Sequence, residues 1–179
     1  MPLARHEHML KPSVLVAVVL VVAAIATPTQ HAAAQLNHPH LTVLGGGSSY
    51  DMSRTGTSPF GAVRVDLPFV KIVYEASLGV FEARESVGGK STYLIPEVQV
   101  QWQLAPDRIR PYIGLGGGYI GNVSGPADNW WSATGSVSAG VRTTLPSTSV
   151  GLSGEVRFRG FSGGVEGGHS VEYALGLRW

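Results

Sequence analysis

Apolar and polar residues alternate along much of the chain with a period of two. The clearest case is residues 94–104, where Leu94, Pro96, Val98, Val100, Trp102 and Leu104 alternate with Ile95, Glu97, Gln99, Gln101 and Gln103. Because side chains on a β-strand point alternately to its two faces, this pattern predicts a strand with one apolar face. Residues 131–145 and 149–161 follow the same pattern.

Five further segments bring the number of predicted strands to eight. They are residues 40–50, 60–69, 70–80, 110–121 and 171–179. The predicted connections are short at Leu67-Pro68, 105–108 and 146–148, and long at 49–59, 83–91, 122–130 and 162–170. The long ones are rich in Gly, Ser, Asp and Asn, as solvent loops are. Short turns alternating with long loops predict an all-β fold, an eight-stranded antiparallel up-and-down transmembrane barrel.

The N-terminal segment has the features of a secretory signal peptide. Arg5 and Lys11 precede an apolar run at 14–26, and the small residues Ala32 and Ala34 follow it. The alternative is a membrane anchor, but this run is shorter than the ~20 residues that a spanning helix needs. We therefore expect a cleaved signal peptide over 1–34 and a single barrel domain over 35–179.

Charge and cysteine content exclude several functional classes. Cleavage would remove two of the 13 basic and one of the 12 acidic residues, which leaves 11 of each. A neutral chain without a basic cluster argues against nucleic acid as a partner. The absence of cysteine excludes a disulfide framework and a thiol nucleophile.

The two faces of the predicted strands differ in their charge. The polar face carries Arg64, Lys71, Arg142, Arg157, Arg159 and Arg178 together with Asp66, Glu75, Glu97, Glu155 and Glu172, whereas the apolar face of the clear strands carries no charge. A lipid-facing Arg or Lys at mid-bilayer costs roughly 2–4 kcal/mol, so the uncharged face is predicted to face lipid. The polar side chains would then pair across a filled interior without an open diffusion pore. A soluble carrier with its apolar face around a ligand is the alternative.

Aromatic and glycine positions refine this prediction. Aromatic residues near strand ends are candidates for interfacial girdles, namely Phe69, Trp102 and Trp179 at the short-turn rim and Phe60, Phe81, Trp131, Phe158 and Tyr173 nearer the long loops. Tyr74 is an exception, which the pattern places near mid-strand. Gly114, Gly116 and Gly118 share the inner face with Tyr112, where they leave room for long Arg and Gln side chains.

The closing segment "VEYALGLRW" and the segment "PYIGLGGGY" at 111–119 carry a resemblance to a known family. Over residues 36–179 the chain resembles the small bacterial outer-membrane β-barrel family that includes the OmpA barrel domain and OmpX. The resemblance implies location in the outer membrane, contact with its lipid, escort by periplasmic chaperones, and a structural or surface-interaction role through extracellular loops. It also implies recognition by the barrel assembly machinery through the last strand, with Val171, Tyr173, Leu175, Leu177 and Trp179. The last residue in that family is usually Phe and less often Trp.

Several short motifs lack the context that their chemistry requires. Gly89-Lys90-Ser91 is similar to a phosphate-binding loop, but Arg84 stands where that loop needs glycine. Gly116, Gly118 and Gly121 have dinucleotide-binding spacing without a following helix. His38 and His40 lack a third metal ligand, and a frayed N-terminal segment explains them better.

A hydrolytic set of His169, Ser170 and Glu166 is the remaining catalytic hypothesis. Adjacent residues on a strand point to opposite faces, so His169 and Ser170 would be separated. Lipid-modifying deacylases of this family have an arrangement that resembles His-x-Ser, in which both side chains lie on one face. We therefore expect no enzyme and assign no catalytic, cofactor-binding or metal-binding residue. A small channel and a lipid A-modifying enzyme stay open as alternatives, beside the soluble carrier.

Overall fold

The computed structural model describes residues 38–50, 57–84, 89–105, 108–125, 131–146, 148–161 and 168–179. The predicted signal peptide, 1–34, lies outside the described residues. The strands are β1 (His40–Tyr50), β2 (Thr57–Phe69), β3 (Ile72–Arg84), β4 (Lys90–Gln103), β5 (Ile109–Ser124), β6 (Trp131–Thr144), β7 (Gly151–Phe161) and β8 (His169–Arg178). In the part of the chain that is described, no helix is long and apolar enough to cross a membrane.

Each strand pairs in antiparallel fashion with its neighbours in sequence, and β8 pairs with β1 to close the barrel. Backbone hydrogen bonds in both directions between Leu41 and Trp179, at 2.8 and 3.0 Å, extend the closure beyond the end of β8. Closure leaves none of the eight strands as an open edge, so all have partners on both sides. The predicted eight-stranded up-and-down antiparallel barrel is confirmed.

The connections divide the barrel into two ends. The short-turn end holds the β2–β3, β4–β5 and β6–β7 connections and the start of β1, and the long-loop end holds the other four. The turn predicted at Leu67-Pro68 was wrong in position: Pro68 lies within β2 opposite Val73, and the chain reverses at Val70 and Lys71. Val70 adopts a positive φ of 43°, which makes the reversal possible there. Lys71 is therefore an exposed turn residue, and its predicted place on the inner face was wrong.

The polar face of the strands forms the inside of the barrel. Five arginines and five carboxylates point inward, each at most 6% exposed: Arg64, Arg142, Arg157, Arg159 and Arg178 with Asp66, Glu75, Glu97, Glu155 and Glu172. The outward side chains are apolar and exposed, among them Val63, Leu115 and Leu175. This is the reverse of a soluble carrier, which turns its apolar face inward around a ligand.

Three aromatic assignments need correction. Phe60 and Phe81 are buried inside the barrel and do not belong to an outer girdle. Phe60 lies an even number of positions from the inward residue Arg64 on β2, so the alternation of faces along the strand turns its ring inward. This alternation overrides the preference of aromatic rings for the membrane interface at strand ends. Tyr74 is not at mid-strand, because β3 begins at Ile72, and its ring packs edge-on against Phe69 at 5.5 Å.

Candidate functional site

The inside of the barrel is built around the guanidinium of Arg157 on β7. Its nitrogens lie 2.8 Å from Glu75, 2.6 Å from Glu97 and 2.9 Å from Glu155. Three carboxylates from β3, β4 and β7 therefore converge on one cation across the lumen. We call this set, with the other inward arginines and carboxylates, the ion-pair network.

Glu155 is a second junction of the ion-pair network. Arg64 donates to both of its oxygens at 2.9 Å, in the bidentate geometry that suits a guanidinium and a carboxylate. The hydroxyl of Tyr112 donates to the same carboxylate at 2.6 Å. Tyr112 is buried and faces inward, as its parity predicted.

Toward the long-loop end, Arg159 connects Glu97 with one further carboxylate, Glu172. It donates to both oxygens of Glu172, at 2.9 and 3.1 Å, and it also pairs with Glu97. The hydroxyl of Ser136 donates to Glu97 at 2.7 Å. Glu97 is bound by Arg157, Arg159 and Ser136, and Glu172 is bound by two nitrogens of Arg159. Both buried charges are therefore hydrogen-bonded, which is the condition under which a buried charge is tolerated.

Toward the short-turn end, the ion pairs are longer. Arg142 Nη2 lies 3.3 Å from Glu75 and 3.5 Å from Asp66, and Arg178 Nε lies 3.4 Å from Asp66. The guanidinium of Arg142 lies over the ring of Tyr112, 4.3 Å from its centroid. The carboxylates at this end are shared between arginines.

Glycines on β5 provide the space that the network occupies. A Cβ added at Gly114 would lie 2.7 Å from Gln99 Oε1, and one at Gly116 would lie 2.6 Å from Glu97 Oε1. The predicted role, to make room for long polar side chains, is confirmed for Gly114 and Gly116, whereas a Cβ at Gly118 would meet the backbone of Pro96. Gln99 also accepts from Gln101 at 2.6 Å, so the glutamines of β4 join the network.

A second interior feature, which the sequence analysis missed, is an apolar cluster placed largely on β2 to β5 toward the long-loop end. Its members are Leu44, Phe60, Ala62, Phe81, Ala83, Tyr93, Ile95, Ile120 and Ala174. The rings of Phe81 and Tyr93 stack with centroids 5.1 Å apart. Apolar side chains therefore share the interior with the ion-pair network, which corrects the prediction of a filled polar interior. Phe60 and Phe81 each lie an even number of positions from an inward charged residue on the same strand, and this was the sequence signal that they face the interior.

The outer surface is an apolar belt that carries charge only near one end. Of the outward strand side chains that the structure describes, the charged ones are Glu82 and Lys90 at the long-loop end, which pair at 3.0 Å. Exposed aromatic side chains lie near both ends of the belt: Phe69, Tyr74, Trp102 and Trp179 at the short turns, and Tyr119, Phe158 and Tyr173 nearer the long loops.

The candidate catalytic and ligand motifs are not assembled into sites. His169 stacks on the outward ring of Phe158 at 6.1 Å, whereas the side chain of Ser170 is buried on the inner face. Glu166 lies outside the described residues. Lys90 begins β4 and Ser91 points inward, and the preceding Gly89 has a positive φ of 97°. No group of three metal-type ligands occurs among the described residues, and His38 lies just before β1.

Comparison with solved structures identifies the architecture. The crystal structure of Neisserial surface protein A matches 78% of this chain and 94% of its own, with 12% identity and a TM-score of 0.59. The fold is that of a small outer-membrane β-barrel. Ail of Yersinia pestis, 12% identical with a TM-score of 0.47, covers 79% of this chain and 96% of its own. The N-terminal β-barrel domain of Pseudomonas aeruginosa OprF, 17% identical with a TM-score of 0.43, covers 78% and 95%. No protein-family model and no curated protein matches the sequence.

Proposed function

We propose that this protein lies in a bacterial outer membrane, where it supports the envelope structurally or presents its longer connections to a partner. The observation that carries the proposal is an apolar belt around an inside filled by paired charges. Strands of 10 to 16 residues are long enough to cross a bilayer, which needs ~9–11 tilted residues. Exposed aromatic rings near both ends of the belt suit the two membrane interfaces.

The inside of the barrel supports a role without diffusion through it. Arg157 and its carboxylates cross the lumen from β7 to β3 and β4, and the inner apolar cluster fills space nearer the long loops. An eight-stranded barrel is just wide enough for side chains. Contact with the surroundings therefore falls to the outer belt and to the two ends.

The proposal assigns no catalysis to the barrel. His169 and Ser170 point to opposite faces, so the base does not approach the hydroxyl that it would have to deprotonate. A lipid-modifying reaction by this pair would need both groups on one side of the strand.

The partners in this proposal are those that an outer-membrane barrel meets. Membrane lipid would contact the belt, and periplasmic chaperones would carry the unfolded chain. The barrel assembly machinery would recognise β8, which closes the barrel by pairing with both β7 and β1. The side chains offered for recognition are Val171, Tyr173, Leu175, Leu177 and Trp179.

The proposal is tested by extraction of cell envelopes and by the orientation of the two ends. We expect the protein in the detergent-extracted membrane fraction, with different migration before and after boiling on an SDS gel, because closed barrels resist SDS until heated.

An epitope tag inserted between β5 and β6 should be accessible to antibody on intact cells, and the matched tag between β6 and β7 should not. A soluble periplasmic protein without a heat shift would overturn the location, and resolved conductance steps in planar bilayers would overturn the closed interior.

A further inference from the structure

An open apolar cavity lies on the outer face of the barrel, across β6, β7, β8 and β1, and we call it the outer cavity. Its volume is about 530 Å³. Glu155 borders it, but the carboxylate of Glu155 points into the interior and pairs with Arg64. The outward residues that form the outer cavity include Gly45, Val141, Gly154, Val156, Tyr173 and Leu175.

The outer cavity results from the register of four neighbouring strands. Gly154 lies directly opposite Val141 on one side and Leu175 on the other. Leu175 in turn lies directly opposite Gly45. Leu175 therefore has no side chain beside it in either cross-strand direction, and it is 75% exposed, whereas Val156 on β7 is 54% exposed.

Packing within the protein does not require the two glycines. A Cβ added at Gly45 would have no atom within 4 Å, and one at Gly154 would meet only the flexible end of Leu175, at 3.2 Å. Gly116 on the inner face differs, because a Cβ there would lie 2.6 Å from Glu97 Oε1. Since glycine weakens a strand, the open space at Gly45 and Gly154 is explained better by an occupant outside the protein than by its own core.

The position of the outer cavity determines what can fill it. The cavity opens within the apolar belt and is continuous with it, so its occupant comes from the same surroundings as the belt. Wall atoms that face an empty space lose dispersion contacts. A flexible acyl chain can follow the step between Leu175 and the glycines beside it, whereas a second barrel would have to present a rigid ridge of matching shape.

We propose that the outer cavity holds an acyl chain of a glycerophospholipid, seated over Gly154 against Val156 and Leu175. Gly154 lies three positions after Gly151, where β7 begins at the short-turn end. This distance is about 10 Å along the strand, within the ~15 Å of hydrocarbon in one leaflet. The inference rests on the proposed function, whose orientation puts the short-turn end in the periplasmic leaflet, where the lipids are glycerophospholipids.

The test uses the full barrel in vesicles of phosphatidylethanolamine and phosphatidylglycerol. A small fraction of the phosphatidylethanolamine carries a photoactivatable diazirine in the middle of one acyl chain. Mass spectrometry compares crosslinking at Val156, in the outer cavity, with crosslinking at Val98, an outward valine on β4 that is 50% exposed. We expect at least roughly fivefold more at Val156, equivalent to ~1 kcal/mol, because a chain in the cavity is contacted on more than one side.

Two variants fill the outer cavity, and a third is the matched control. Gly154→Leu and Gly45→Leu should bring crosslinking at Val156 down to that at Val98. Gly135→Leu should keep the ratio of the parent, because Gly135 is an outward glycine on β6 that also has no atom within 4 Å of an added Cβ but does not line the cavity. The heat shift on an SDS gel shows that each variant has folded before it is compared.

Failure of the site and failure of the membrane location give different results. Without crosslinking at either valine, the membrane location is contradicted and the site with it. Equal crosslinking at the two valines in the parent keeps the location and overturns the site, as does a parent ratio that Gly154→Leu and Gly45→Leu leave unchanged. Weaker crosslinking at Val156 than at Val98, together with a chemically crosslinked dimer, would show that a second copy covers the outer cavity and would also overturn the proposal.

Discussion

At the scale of single residues, Glu155 shows how the barrel tolerates charge in its interior. Removing a carboxylate from water costs several kcal/mol, and this cost is offset only when the remaining hydrogen-bonding capacity is used. Glu155 accepts from Arg64, Arg157 and Tyr112, at distances between 2.6 and 2.9 Å. The carboxylate therefore supplies one of the opposite charges that compensate the buried Arg64 and Arg157.

Replacing this carboxylate by its neutral isostere should destabilise the barrel strongly. We expect Glu155→Gln to lower the free energy of unfolding by ~3–5 kcal/mol, because Arg64 and Arg157 each lose a charged partner while staying buried. Reversible urea unfolding in lipid vesicles measures this. The control is Lys90→Gln, which removes the exposed pair with Glu82 and should cost at most ~1 kcal/mol. Equal losses in the two variants would show that the network does not stabilise the fold.

At the scale of the element, β5 combines two kinds of glycine on opposite faces. Gly116 faces inward against Glu97 and Ser136, whereas Gly117 faces outward and its nearest neighbour would be the backbone oxygen of Thr134 at 3.7 Å. The inner glycine is required by the side chains of the neighbouring strands. The outer one has no such constraint.

This contrast predicts opposite effects for two adjacent substitutions. Gly116→Ala places a methyl group 2.6 Å from Glu97 Oε1 and 2.8 Å from Ser136 Oγ, and should cost ~1–3 kcal/mol through displacement of the network. Gly117→Ala makes only ordinary contacts and should be neutral, or stabilising by up to ~1 kcal/mol, because glycine weakens a strand. Comparing their unfolding midpoints in urea tests the pair. If Gly117→Ala were the more destabilising variant, the assignment of the faces of β5 would be wrong.

The number of strands and their faces were predictable from the sequence because both depend on local geometry. Alternation placed Glu97, Gln99 and Gln101 inside, where they are found. The errors arose where a second local signal competed with alternation. The proline at position 68 led to a turn predicted too early, and the location of Phe60 and Phe81 near strand ends led to their prediction as outward girdle residues. The strand pleat is fixed by covalent geometry, so parity is the stronger signal in such conflicts.

At the scale of the whole molecule, the interior pairs were not predictable because they depend on closure and stagger. Arg64 and Glu155 are 91 residues apart, and they meet only because β2 and β7 face each other across the closed lumen. Arg110, Arg142 and Arg178 come together at the short-turn end for the same reason, since β5, β6 and β8 each bring one of them there. The order of charges along the sequence therefore does not show which of them meet within a barrel.

The choice between a lipid-facing and a water-facing exterior is also a property of the whole molecule, and depth along one strand tests it. Leu115 lies near the middle of β5 and Val123 near its long-loop end, and both side chains are exposed on the outer face. We expect Leu115→Arg to lower the free energy of unfolding in lipid vesicles by ~2–4 kcal/mol and Val123→Arg by only ~0–1 kcal/mol, because the cost of a charge falls toward the membrane interface. On a water-facing surface, both substitutions would be nearly neutral. Two small and equal losses, with the folded state retained, would contradict the lipid-facing belt, whereas a difference that follows depth has no explanation in a uniform aqueous exterior.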